Sequence, residues 1–333
     1  MMLKIGLLGG GSWGTTVASL ISRNCPTTIW ARDMETVRDI NDHHRNEKYL
    51  PGLTLHEDLK ASHSLQETLK NADVVVVGIP SQNCRSVMEE AKSFIRPWVP
   101  IVSLTKGLEQ GTKMRMTEII ESIYPQHPVG VLTGPNLAKE VLQGQAAAAV
   151  IAMVDTNIAN ALQQVFRTGL FRVYTNEDVI GCELAGALKN VIAIAVGMGD
   201  GAGAGDNTRS AVITRGLAEL TRLGIAMGGK PATFAGLAGM GDLIATCISP
   251  LSRNRYVGVQ LGKGRTIQDI IAEMSMVAEG VKTCGVVAEL ANIYNIEMPI
   301  TQEVNKVINE AVTARVAFRG LLSTKTGSEA DPG

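Results

Sequence analysis

A glycine-rich turn between a short apolar strand and an amphipathic helix constrains this chain more than any other stretch. Lys4-Ile5-Gly6-Leu7-Leu8 runs into Gly9-Gly10-Gly11-Ser12-Trp13-Gly14, and Thr15 to Ile21 then carries helical periodicity. A second apolar run, Thr27 to Trp30, ends at Ala31-Arg32-Asp33. Gly9, Gly11 and Gly14 fit G-x-G-x-x-G in the strand, turn, helix, strand order that a dinucleotide-binding unit requires. The first glycine permits a tight turn, the second lets a pyrophosphate approach the backbone, and the third lets the helix pack close to the strand. The helix N-terminus then faces phosphate with unpaired N–H groups. The competing reading is a glycine turn in an unrelated α/β protein.

The periodicity of the rest divides the chain in two. Up to Tyr174, strands at 73–79, 99–104, 129–133, 147–153 and 171–174 alternate with helices at 34–46, 82–94, 112–124 and 156–166. The run Val74 to Val77 is apolar throughout, as expected for a parallel sheet covered on both faces. From about residue 180 the strands stop, and helical patterns follow at about 180–199, 208–224, 239–247, 253–262, 266–273, 280–294 and 300–310. The expected fold is therefore α/β, a Rossmann-like, mainly parallel sheet domain over residues 1–180. An all-helical C-terminal domain follows over 181–327, carrying substrate and catalytic residues, with a flexible tail at 328–333. Gly197 to Gly205 is expected to end the first long helix in a close-packed bend. Leu184 to Gly199 is interrupted by Lys189 and flanked by Glu183 and Asp200, so it reads as a buried globular helix rather than a membrane span.

Charge and cysteine usage narrow the function. Lys plus Arg number 31 against 32 Asp plus Glu, a net charge of -1, which supplies no global attraction to nucleic acid or an anionic membrane. Cysteines 25, 84, 182, 247 and 284 form no close pairs, so neither a zinc motif nor a disulfide framework is expected. The chain enters its first strand without a secretory leader pattern. A cytoplasmic protein with no nucleic-acid partner and no integral membrane association is the expectation.

All five histidines lie at 43, 44, 56, 63 and 127, leaving the helical domain to do acid–base chemistry with lysine or a carboxylate. Lys189 is the candidate, because an apolar surround lowers a lysine pKa toward neutrality. Its helical neighbours include Ala185, Leu188 and Ala193, and Asp200 lies three turns on. The alternative is a lysine snorkelling from a helix flank. Lys106 follows the strand at 99–104 on the edge where α/β ligands sit, or is an ordinary loop lysine. Gly134-Pro135-Asn136 offers a strand-to-helix turn. Asp242 and Thr246 are four apart and share a helical face in a glycine-dense segment. Ser252-Arg253-Asn254-Arg255 sets an N-cap and two guanidinium groups at a helix start, a constellation suited to a phosphomonoester, or simply a solvated basic cap. Asp242 as a metal ligand is disfavoured, since no His or second carboxylate lies nearby in sequence.

Taken together, these segments resemble bacterial NAD(P)-dependent glycerol-3-phosphate dehydrogenases along essentially the full length. The matching pieces are G-G-G-S-W-G at 9–14, W-A-R-D at 30–33, S-L-T-K-G-L-E at 103–109, G-P-N-L-A-K-E at 134–140 and E-L-A-G-A-L-K-N at 183–190. D-N-T-R-S-A at 206–211, G-L-A-G-M-G-D-L at 236–243, S-R-N-R at 252–255 and V-A-E-G-V-K-T at 277–283 complete them. The resemblance implies an oxidoreductase that interconverts dihydroxyacetone phosphate and sn-glycerol 3-phosphate, a supply step for phospholipid synthesis. It implies dinucleotide contacts at Gly9, Gly11, Ser12, Trp13, Gly14, Arg32, Lys106, Ala138, Arg253, Val277 and Glu279. Substrate contacts would come from Lys106, Gly134, Asn136, Lys189, Asp242, Thr246, Ser252, Arg253 and Asn254, with Lys189 as the acid–base residue. No metal is implied, and a homodimer is. The family commonly has Ser where this chain has Asn136, a longer donor that changes the local fit. Arg32, rather than an acidic residue, is the first charged residue after the second strand, so NADPH is the expected preferred cofactor with NADH also used; Asp33 beside it works in the other direction. Two other readings stay open: a dehydrogenase for another phosphorylated or carboxylated carbonyl compound, and a non-catalytic dinucleotide sensor.

Overall fold

Strands rich in β-branched residues build the first unit. In the computed structural model, residues 2–274, 278–310 and 312–323 are described. Val277 and the expected tail at 328–333 lie outside the described residues. The first unit takes the chain up to Thr105 together with Met114–Val179, and the second takes Lys106–Lys113 and the chain from Ile180 onward. The segment 106–113 thus packs with the helices although it lies within the sequence span expected for the first domain.

In chain order the first unit runs β1 (Ile5–Leu8), α1 (Ser12–Ile21), β2 (Thr27–Trp30), α2 (Met34–His43), β3 (Lys60–Ser62), α3 (Leu65–Leu69), β4 (Val74–Val77), α4 (Cys84–Ala91), β5 (Ile101–Ser103) and α5 (Met116–Ile123). It continues with β6 (Val129–Thr133), α6 (Ala138–Leu142), β7 (Ala147–Met153), α7 (Thr156–Phe166) and β8 (Phe171–Asn176). The sheet order is β3-β2-β1-β4-β5-β6-β7-β8, parallel except between β6 and β7. Parallel register aligns the carboxyl ends of β1, β2, β4, β5 and β6 on one edge, where ligands of open α/β sheets sit. Alternation along each strand feeds two apolar layers. Leu7, Val76 and Val102 face one layer with α1 and α7 residues, while Leu8, Val75, Val77 and Ile101 face the other with α4 and α5 residues.

Several boundaries differ from periodicity for local reasons. Helix α2 ends at His43 rather than 46 because His44 turns left-handed, at φ 51°. Helix α5 starts at Met116 rather than 112: Glu118 Oε2 accepts the Arg115 amide at 2.8 Å, and Lys113 sits at φ 63°. Strand β3 escaped notice because three residues, one of them Lys, on the sheet edge show no usable alternation.

The second unit is helical, and no strand follows β8 among the described residues. Its elements are α8 (Val179–Gly201), α9 (Asp206–Ala226), α10 (Pro231–Ala235), a π-helical turn over Leu237–Gly241, α11 (Asp242–Ile248) and α12 (Arg253–Gly262). Then come α13 (Ile267–Glu273), α14 (Glu279–Ile293), α15 (Pro299–Asn309) and α16 (Ala314–Ser323). Helix α8 is long and apolar enough to cross a membrane, but 94% of its apolar window is buried inside the protein. It is the core helix of this unit. Helix α8 ends within the segment Gly197–Gly205 where a bend is expected, but only after continuing to Gly201. Its glycines meet backbone: a Cβ at Gly197 would lie 2.2 Å from Arg255 O, and one at Gly258 of α12 would lie 2.1 Å from Ile194 O. Missing side chains let two helix backbones touch, and that packing offsets the low helix propensity of glycine.

Candidate active site

The glycine turn forms a cradle with space for phosphate. Gly9 adopts φ +117°, and a Cβ there would lie 2.4 Å from Gly78 O; one at Gly14 would lie 2.1 Å from Gly9 O. At Gly11, by contrast, a Cβ would meet nothing within 4 Å. Two glycines are therefore demanded by the protein's own packing, and the third leaves open space at the start of α1. Gly11 caps α1 without a side-chain hydrogen bond, so Ser12 and the first turn present amides to that space. Trp13 packs edge-on to Phe171 at 6.4 Å, and its buried Nε1 has no hydrogen-bond partner. These features fit a nicotinamide dinucleotide. Arg32 follows β2 on the same sheet edge; it is exposed and makes no hydrogen bond or ion pair with the described residues.

Gly134, Asn136 and Ala138 also belong to this unit, in the turn from β6 to α6. Gly134 needs its φ of +132°, since a Cβ would crowd Ala148 O and Ala149 Cα at 3.1 Å. Asn136 Nδ2 donates to Ala148 O at 2.8 Å, and Oδ1 is buried without a partner. What this side chain leaves unpaired is thus an acceptor as well as its second amide hydrogen. Thr16 of α1 donates to Ala138 O at 3.3 Å, tying α6 to the cradle helix.

In the helical unit, four candidates converge. Asp242, 2% exposed, receives Lys189 Nζ on Oδ1 at 3.1 Å and Lys106 Nζ on Oδ2 at 2.7 Å. Lys189 Nζ also donates to Thr246 Oγ1 at 2.5 Å, and that hydroxyl lies 2.7 Å from Asp242 O. The i, i+4 spacing read from sequence therefore places Asp242 and Thr246 on one face, toward α8. Burial pulls the Lys189 pKa down to about 8; Asp242 opposes this shift and Lys106 adds to it. Two ammonium groups on one carboxylate leave a net positive, largely dry cluster. An amine poised near neutrality there can give a proton to a developing oxyanion or take one from a hydroxyl.

Asn190 is a residue that sequence reasoning missed. Its Nδ2 donates to Lys106 O at 3.2 Å, and its Oδ1 accepts Asn254 Nδ2 at 2.9 Å. Asn254 Oδ1 in turn accepts the Gly280 amide at 3.0 Å. The two carboxamides join the Lys106 segment, α8, α12 and α14. The available signal was a second polar residue beside Lys189 in the middle of an apolar helix. Ser252 is the N-cap of α12, its Oγ accepting the Arg255 amide at 3.2 Å. Arg253 is exposed at the first position of α12, and Glu279, at the first position of α14, attracts it. Asp200 does not serve Lys189. Its carboxylate binds Arg255 at 2.7 Å and Arg209 at 2.9 Å.

Residues 4–159 match the model of the NAD-dependent glycerol-3-phosphate dehydrogenase N-terminus, and residues 178–319 match that of the C-terminus. The chain is 63% identical over 333 residues, the whole of both proteins, to glycerol-3-phosphate dehydrogenase (NAD(P)+) 2 of Sphingopyxis alaskensis. It is 57% identical over 327 residues to glycerol-3-phosphate dehydrogenase (NAD(P)+) 1 of Mycobacterium tuberculosis, covering 98% of this chain and 96% of that protein. The crystal structure of glycerol-3-phosphate dehydrogenase from Coxiella burnetii superposes with a TM-score of 0.93 at 35% identity, covering 97% of this chain and 99% of that one. A Rossmann-like unit with its glycine cradle, followed by a helical unit, makes this an oxidoreductase of the NAD(P)-dependent class. Within that class, the chain belongs to the NAD-dependent glycerol-3-phosphate dehydrogenase family.

Proposed function

We propose that this protein reversibly reduces dihydroxyacetone phosphate to sn-glycerol 3-phosphate, supplying glycerol phosphate for phospholipid synthesis. The observation that carries the reading is the buried Lys189–Asp242–Lys106 cluster, with Asp242 bridging both lysines and Thr246 beside Lys189. When bound, the nicotinamide supplies the hydride to C2 of the ketone or accepts it from the alcohol. Gly9, Gly11, Ser12, Trp13, Gly14, Arg32 and Ala138 would hold the dinucleotide, joined by Lys106, Arg253, Val277 and Glu279. Lys189, protonated below about pH 8, gives its proton to the C2 oxygen in reduction and takes it back in oxidation. Asp242 and Thr246 orient that ammonium, while Lys106 holds the substrate oxygen face electrostatically. The first turn of α12, with Ser252, Arg253 and the remaining amide hydrogen of Asn254, receives the phosphate. Gly134 and Asn136 complete the substrate contacts.

NADPH is the preferred cofactor in this reading, with Arg32 pairing the 2′-phosphate, and NADH is also used. The protein works as a homodimer. The deciding experiment follows nicotinamide absorbance with dihydroxyacetone phosphate and each reduced cofactor, in the native chain and in R32A. Turnover with NADPH exceeding that with NADH, and a selective loss of NADPH turnover in R32A, are expected. No substrate-dependent change would favour the dinucleotide sensor, and a response to a different carbonyl compound would favour another dehydrogenase.

A further inference from the structure

An acidic side chain at the end of the second strand ordinarily favours NADH, because it accepts hydrogen bonds from the adenosine ribose and repels a 2′-phosphate. Asp33 stands next to that position, but its carboxylate is committed. Oδ1 accepts the Glu35 amide at 3.1 Å as the N-cap of α2. Oδ2 lies 2.9 Å from Lys48 Nζ and 3.3 Å from Thr36 Oγ1. The hydrogen bond from Lys48 is the largest of the influences that hold this carboxyl below the usual range.

Lys48 is delivered there by an anchored backbone. Two residues earlier, the fully buried Asn46 donates through Nδ2 to Gly10 O and Thr15 Oγ1, both at 2.9 Å. The segment carrying Lys48 is therefore pinned to the glycine turn itself. A cavity of about 300 Å³ beside Asp33 and Lys48 is also lined by Glu35, Arg38, Asp39 and Glu47, and Arg32 stands outside its lining. Arg32, Asp33 and Lys48 together carry one net positive charge; without Lys48 they carry none.

Resting on the NADPH preference proposed above, we infer that Lys48 is a specificity-determining residue, neutralising Asp33 and adding a second cation to Arg32 toward the 2′-phosphate. Asp33 is the latent NADH determinant, and Lys48 masks it. Removing Lys48 both subtracts a cation and exposes an anion, so the penalty falls on the 2′-phosphate and spares the rest of the nucleotide.

The test is calorimetric binding of adenosine 2′,5′-bisphosphate and of 5′-AMP to the full chain, in the native protein, K48A, D33N and K48A/D33N. Asparagine preserves the N-cap of α2, and circular dichroism verifies the fold of each variant. K48A is expected to weaken the bisphosphate about tenfold and 5′-AMP less than about twofold. Adding D33N to K48A should recover about threefold or more of the bisphosphate affinity. Equal losses for both ligands in K48A, or no recovery in the double variant, overturn the role of Lys48. Native protein binding 5′-AMP as tightly as the bisphosphate would instead overturn the NADPH preference, and the Lys48–Asp33 coupling would still be read from the four proteins.

Discussion

Lys189 is 5% exposed, and its ammonium touches a carboxylate oxygen and a hydroxyl. Burial disfavours its charged form, so its pKa falls to about 8. Reduction needs the protonated amine and oxidation the neutral one. The reduction rate should therefore decline as pH rises through about 8, and the oxidation rate should climb through the same interval. Asp242 raises the lysine pKa against burial, so D242N should move both breaks to lower pH, besides slowing turnover. K189A should lose about a hundredfold or more in kcat while its dinucleotide affinity stays within about twofold of native. Rate profiles in both directions, with cofactor binding measured separately, check these outcomes; near-normal kcat in K189A removes the lysine from the mechanism.

At the scale of elements, the contact of α8 with α12 sets the distance between the lysine cluster and the first turn of α12. Gly197 and Gly201 on α8 oppose Gly258 and Gly262 on α12, with backbone where side chains would otherwise stand. The Asp200 carboxylate, bound to Arg209 of α9 and Arg255 of α12, clamps the same junction. G258A drives a methyl group into Ile194 O, so the helices must part. A loss of about 1–3 kcal/mol in stability is expected, together with a larger rise in KM for dihydroxyacetone phosphate than in KM for the cofactor. Chemical denaturation and steady-state kinetics measure the two effects. Unchanged stability and KM would show that α12 is not held by this contact. A buried carboxylate has a similar joining task elsewhere in the unit: Glu219 of α9 accepts the Ile300 and Thr301 amides at the start of α15, at 2.6 and 3.1 Å.

For the whole molecule, each unit holds its own apolar core: two layers on the sheet of the first, and one cluster around α8 in the second. The helical unit also exposes Ile244, Ile248, Leu251 and Tyr256, apolar surface consistent with the proposed homodimer. Sedimentation should return twice the chain mass across a broad concentration range. A monomer mass at every concentration would defeat the dimer.

Local chemistry determined much of this protein. The glycine spacing, the apolar run Val74–Val77 and the change of period near residue 180 depend on neighbours in sequence. From them the parallel sheet, the cradle at Gly9–Gly14 and the succession of helices were legible, and so was the pairing of Asp242 with Thr246 one turn apart. Only tertiary structure decided which charges meet. Lys106 and Asp242 are 136 residues apart yet 2.7 Å in space. Asp200 faces Arg209 and Arg255 rather than Lys189, and Lys48 reaches back to Asp33. Helix α8 runs through its glycines because another backbone packs against them, a cause absent from the glycines' own sequence neighbourhood. Periodicity reports which face of an element is apolar, whereas hydrogen bonds and ion pairs between elements depend on distances set by packing.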